Sequence, residues 1–131
     1  MEPRMGAAKV KRFWGTSLAS SAILAWTLSI PAPAPAAGDP GAGKAKYGQL
    51  CIFCHGASGK GDGPAARGFP VKPADHTNKA RMNSLSDAYL AKVIKGGGSS
   101  VGKSPLMPPF GSQLSETDVQ NLIAYIRSLA R

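Results

Sequence analysis

Cys51-Ile52-Phe53-Cys54-His55 contains the only two cysteines of this 131-residue chain, followed directly by an imidazole. At the C-x-x-C-H spacing, two thiols can join the two vinyl edges of one porphyrin as thioethers, and the next histidine lies beneath the ring, near its iron. Other chemistries fit less well. A thioredoxin-like dithiol needs a βαβ frame around it, and no strand-like alternation surrounds this segment. A zinc site needs four ligands. Here the candidates are Cys51, Cys54, His55 and His76, and the adjacent Cys54 and His55 are badly placed to share one ion. A structural disulfide between Cys51 and Cys54 stays open in an exported protein. The expected cofactor is one haem c, attached through Cys51 and Cys54.

The ligand on the other face of the iron decides between carrier and catalyst. From residue 37 onward the chain offers Met82, Met107 and His76. Met107 lies in Pro105-Leu106-Met107-Pro108-Pro109-Phe110. Its prolines stiffen an extended loop and remove backbone donors, which suits a thioether held at a metal without regular structure. Met82, in polar Ala80-Arg81-Met82-Asn83, reads as a packing residue. His76, in Ala74-Asp75-His76-Thr77, reads as a surface-loop histidine. Met107 is therefore the expected sixth ligand.

The amino terminus addresses the chain for export. Arg4, Lys9, Lys11 and Arg12 precede an uncharged apolar run from Phe13 to Ile30, and Ala34-Pro35-Ala36 follows the small-x-small rule. Residues 1–36 are expected to be a signal peptide cleaved after Ala36. The competing reading is an uncleaved anchor, since 18 residues is the lower limit for a spanning helix. Residues 37–131 then form one small domain in the periplasm or, if the anchor is kept, at the membrane facing it. In that domain twelve Lys and Arg stand against six Asp and Glu. Export, and the lack of any interleaved basic–aromatic stripe, argue against nucleic acid.

The elements read as all-α. Asp39-Pro40 starts a helix running to about Leu50 and into Cys51. Its Gly43 is poor for helix formation and makes sense if another helix crosses closely there. Gly56 to Pro73 is a turn-rich loop. Ser86 caps a helix with a Leu90-Val93-Ile94 stripe that ends at Gly96-Gly97-Gly98. Ser99 to Gly111 is irregular. Leu114 to Ala130 is the clearest helix, with Ser115 and Asp118 as a capping-box variant and Val119, Leu122, Ile123, Ile126 and Leu129 on one face.

In this order, glycine and aromatic (Gly43, Tyr47) before C-x-x-C-H, G-x-G-D-G-P after it, the Met-Pro-Pro loop and the terminal L-x-x-Y-I-R-S-L helix resemble a small bacterial class I c-type cytochrome over about residues 39–131. The resemblance implies three to four short helices wrapped around one covalent haem. It implies thioethers at Cys51 and Cys54, axial ligation by His55 and Met107, and a Pro64 carbonyl on the other ring nitrogen of His55. It also implies Gly43 and Tyr47 packed against Leu122 and Tyr125. Many relatives carry tryptophan soon after the methionine, where this chain has Phe110.

The function expected is monohaem electron transfer in a respiratory chain, without catalysis, by a monomer. Its partners would be redox proteins with acidic docking surfaces, steered by lysines such as Lys44, Lys46, Lys60, Lys72, Lys79, Lys92, Lys95 and Lys103. Two alternatives stay open: a haem-bearing subunit docked in a larger, membrane-bound oxidoreductase, and a five-coordinate haem enzyme or gas-binding protein.

Overall fold

The computed structural model describes residues 37–131; the leader and the cleavage after Ala36 lie outside the described residues. Five helices follow one another: α1 Pro40–Leu50, α2 Ile52–His55, α3 Lys79–Asn83, α4 Asp87–Gly96 and α5 Glu116–Leu129. Two 3-10 turns, Pro64–Gly68 and Gly98–Val101, punctuate the loops. Among the described residues there is no strand, as the all-α reading expects. The helices exceed the expected three to four because α2 is a single turn carrying the cysteine motif and α3 is only five residues long.

α1 starts where Asp39 accepts a hydrogen bond from the Gly41 amide at 2.7 Å, with Pro40 in the first helical position. Its only buried residues are Gly43 and Tyr47, one turn apart. That narrow face meets α5. A methyl group built on Gly43 would lie 1.9 Å from the Asn121 carbonyl oxygen, so the two backbones touch there. Tyr47 meets Tyr125 edge-on at 5.2 Å. The Asn121 side chain also accepts from the Asp39 amide at 2.7 Å, tying the start of α1 to the middle of α5.

α5 is capped in both directions: Ser115 accepts from the Asp118 amide and Asp118 accepts from the Ser115 amide, each at 3.0 Å. Its apolar face buries Val119, Leu122, Ile123, Ile126 and Leu129. With Tyr47, Met82, Leu90 and Ile94 these side chains make up most of the core. Arg127 does more than complement the helix terminus. Its guanidinium donates to the Met82 carbonyl and, at 2.7 and 2.9 Å, to the Asp87 carboxylate, so α5 holds the α3–α4 junction.

α4 is capped by Ser86, whose side chain accepts from the Tyr89 amide, and ends at Gly97 with φ 73°. A side chain at Gly97 would sit in left-handed backbone and 2.8 Å from the Met107 carbonyl oxygen. The methionine loop is laid against this end of α4. The Gly98 amide donates to the Met107 carbonyl (3.0 Å), the Phe110 amide to Ile94 (3.1 Å) and the Gly111 amide to Lys95 (3.0 Å).

Two measurements test this packing. Gly43→Val should destabilise by about 3 kcal/mol through overpacking, lowering Tm by roughly 10–20 °C, whereas Gly48→Ala, which faces open space on the same helix, should stabilise by roughly 0.5–1 kcal/mol. The Asp118 carboxyl is held below its usual range, first by the Ser115 hydroxyl and backbone and then by Lys46. A depressed folded pKa contributes stability above the unfolded value and loses it as pH falls through the folded one. Asp118→Asn should therefore lower Tm at pH 7, with the difference from wild type vanishing as both are taken well below pH 3.8.

Candidate cofactor site

The reactive residues sit where α1 stops. Cys51 is the last cap of α1, its amide bonded to the Tyr47 carbonyl at 2.9 Å. The single turn of α2 follows, with the Cys54 and His55 amides both donating to the Cys51 carbonyl, at 3.2 and 2.9 Å. One turn thus presents both sulfurs and the imidazole together. Both thiols are unbridged and half-buried. Burial, and next the neighbouring Cys54, push the Cys51 thiol up to about 11. Redox and catalytic dithiols need the opposite, a depressed thiol. Among the described residues no three His, Cys, Asp or Glu side chains converge as a metal-ion cage, so the zinc alternative lacks a ligand set.

The His55 ring is fixed through Nδ1, which lies 3.1 Å from the Ala74 carbonyl oxygen. A carbonyl only accepts, so the proton is on Nδ1 and Nε2 keeps its lone pair, as a metal ligand requires. Burial lowers the His55 pKa, against an opposing effect of the Ala74 bond, so the ring is neutral. The carbonyl expected from Pro64 is thus supplied by Ala74. Pro64 is exposed at the start of its 3-10 turn and does not line the cavity. The loop first folds back on α2 through the Gly61 and Gly63 amides, bonded to the His55 and Cys54 carbonyls. It returns to the imidazole only after Pro73, whose carbonyl lies against Gly61.

His76 also departs from expectation. It is buried, at 8% exposure, rather than on the surface. Its backbone amide donates to the Gly59 carbonyl at 2.7 Å, which draws the segment inward. Its ring stacks on His55 with centroids 4.4 Å apart and planes 17° from parallel, and its Nδ1 lies 3.2 Å from the Tyr47 hydroxyl. Burial, and then His55, drop its pKa to about 3, so it is neutral.

Cys51, Cys54, His55 and Met107 all line one cavity of about 600 Å³, a size suited to a cofactor. Its apolar walls include Val93 and Ile94 of α4, Met107 and Phe110 of the loop, and Leu122 and Ile126 of α5. Met82 and His76 reach it as well, but Met82 has no exposure and belongs to the core. Of the eight lysines, only Lys72 and Lys103 line the cavity. Lys46 pairs with Asp118 at 3.3 Å and Lys95 with Glu116. The site therefore suits haem on three counts: a large apolar cavity, two thiols on one turn, and an imidazole tautomer with a free Nε2.

Comparison with known proteins agrees. The family model described as cytochrome c oxidase, cbb3-type, subunit III matches residues 38–126. Cytochrome c-554(547) of Halothiobacillus neapolitanus is 38% identical over 95 residues, covering 71% of this chain and 99% of that protein. The cbb3-type cytochrome c oxidase subunit FixP of Azorhizobium caulinodans is 33% identical over 88 residues, 67% of this chain but 28% of its own length. Among solved structures, the c-type cytochrome KustC0563 aligns with a TM-score of 0.56 at 22% identity, covering 68% of this chain and 98% of its own, a likeness that bears on the fold. The chain belongs to the c-type cytochromes, electron-transfer proteins, and carries haem c bound covalently through Cys51 and Cys54.

Proposed function

We propose that the protein is a periplasmic monohaem electron carrier, not an enzyme, in which His55 and Met107 close the two faces of the iron. The observation that carries this reading is a shared cavity, lined both by a histidine with a free Nε2 and by a methionine on a loop pinned by three backbone hydrogen bonds to the last turn of α4 and the residues just beyond it. Haem supplies a one-electron Fe(III)/Fe(II) couple, and histidine–methionine ligation raises its potential. The protein does the rest. Ala74 orients the His55 imidazole, and the Gly98, Phe110 and Gly111 amides hold the Met107 loop. The apolar walls exclude water, and with both His55 and Met107 holding the iron no position would be left for a substrate.

Partner recognition draws on the cavity rim. Lys72, Lys103 and Arg81 line it, beside the exposed apolar side chains of Val71 and Leu106. The steering charge is therefore carried by these three cations rather than by the whole lysine set. It fits acidic redox proteins, and the protein acts on them as a monomer. Export by a leader cleaved after Ala36 completes the reading; no described helix is long and apolar enough to cross a membrane.

One specific observation favours a second reading. FixP is named as an oxidase subunit and matches over 28% of its length, which supports a haem-bearing module docked in a larger oxidoreductase, held at the membrane if the leader is kept. Sequencing the amino terminus of the isolated protein separates the two. A start at Ala37 supports the soluble carrier, and a start at Met1 in the membrane fraction overturns it.

Met107→Ala should abolish the methionine–iron charge-transfer band of the oxidised protein, lower its potential and let the reduced protein bind carbon monoxide. Met82→Leu should keep the band at a stability cost of less than about 1.5 kcal/mol. A band that survives Met107→Ala and disappears in Met82→Leu would reassign the ligand. Stopped-flow association with an acidic redox partner should slow as ionic strength rises. Lys103→Gln should slow it further at low salt, and Lys95→Gln, which removes a cation already paired with Glu116, should do so far less.

A further inference from the structure

We propose that Tyr47 and His76 are positioning residues for the His55 imidazole, and that together they hold its ring plane and tune the reduction potential of the protein. The inference rests on the reading of His55 as an iron ligand.

Two contacts define the His55 ring. The Ala74 carbonyl takes its Nδ1–H at 3.1 Å and fixes one edge. His76 covers one face, with ring centroids 4.4 Å apart and planes 17° from parallel. Rotation of the His55 ring about its Cβ–Cγ bond would drive its edge into His76, in an interior packed too closely to yield.

His76 is itself immobilised. Its backbone amide is bonded to Gly59, and its Nδ1 lies 3.2 Å from the Tyr47 hydroxyl. Tyr47 is 1% exposed and wedged at the α1–α5 crossing against Tyr125. Burial raises the Tyr47 pKa, so the phenol stays protonated. The hydroxyl and Nδ1 share one hydrogen bond, with the donor set by the His76 tautomer.

Neither polar group is required for packing. Phenylalanine at 47 and leucine at 76 would fill similar space, and burying a hydroxyl or an imidazole is costly unless it is hydrogen-bonded. Here the two polar groups satisfy each other and end against the face of a ligand. Hydrogen bonding, burial and dielectric around an axial ligand are levers on haem potential. A polar ring beside the imidazole favours the more positive, oxidised state, and hydrocarbon in its place favours the reduced one.

The test uses the holoprotein and its Tyr47→Phe, His76→Leu and double variants. The readouts are the midpoint potential and the pattern of haem-methyl shifts in the proton NMR spectrum of the oxidised protein, which follows the orientation of the axial imidazole. His76→Leu should raise the potential and reorder the shifts. Tyr47→Phe should act in the same sense, but less, and should add nothing once His76 is gone. An unchanged potential and shift pattern in His76→Leu overturns the inference. So does a Tyr47→Phe effect of equal size in both backgrounds. Tyr47→Phe removes one oxygen atom from the core, so it stays decisive if His76→Leu does not fold: an unmoved potential and pattern there also overturns it. A His55→Ala variant that keeps a low-spin spectrum removes the ligand reading and this inference with it; the preceding results remove this inference alone.

Discussion

The rest of the structure depends on the contact between α1 and α5 at Gly43. With 1.9 Å between a notional methyl there and the Asn121 carbonyl oxygen, no side chain fits, and the two helices cross at backbone distance. This contact fixes the end of α1, where Cys51, Cys54 and His55 lie, relative to the face of α5 that supplies Leu122 and Ile126 to the cavity. α1 has almost no apolar face of its own, with only Gly43 and Tyr47 buried. Close approach and one aromatic side chain take the place of an amphipathic stripe.

The remaining site residues lie on irregular chain held by helix ends. The loop after α2 is bonded back to the Cys54 and His55 carbonyls before it delivers Ala74 to the imidazole. The loop carrying Met107 lies on the last turn of α4 and the residues just beyond it. In both cases the orphan carbonyls at a helix end serve as anchor points for the loop. Arg127 plays a comparable part for α3, because its bonds to the Met82 carbonyl and to Asp87 give a five-residue helix a fixed place in the core.

Elements with chemical punctuation were legible in the sequence. Asp39-Pro40, Ser86 and Ser115 with Asp118 each cap a helix where their residue types lead one to expect it. That another helix crosses closely at Gly43 could be read because backbone approach demands glycine; its partners came from the resemblance, of which Tyr125 meets Gly43 and Tyr47, while the nearest backbone at Gly43 is that of Asn121. α3 could not be read, because five residues are too few to show a period, although Asn78 caps it as a standard helix start. The Ala74 carbonyl carries no side-chain signal, so its role had no mark in the sequence and Pro64 was expected instead. His76 misled for another reason: Asp-His-Thr is turn-like by composition, and its burial goes with partners distant in sequence, the Gly59 carbonyl and the Tyr47 hydroxyl.

The raised pKa of Cys51 bears on the order of assembly. In a folded domain without haem, burial would disfavour the Cys51 thiolate, the nucleophilic form, whereas in an extended polypeptide that penalty is absent. The helices that close over it are the first and last of the described residues, so docking waits for contacts between remote parts of the sequence, which form slowly. Until α5 arrives, the Cys51 thiol escapes that burial. Attachment is thus easier before closure than after it, and the mature fold seals in the product.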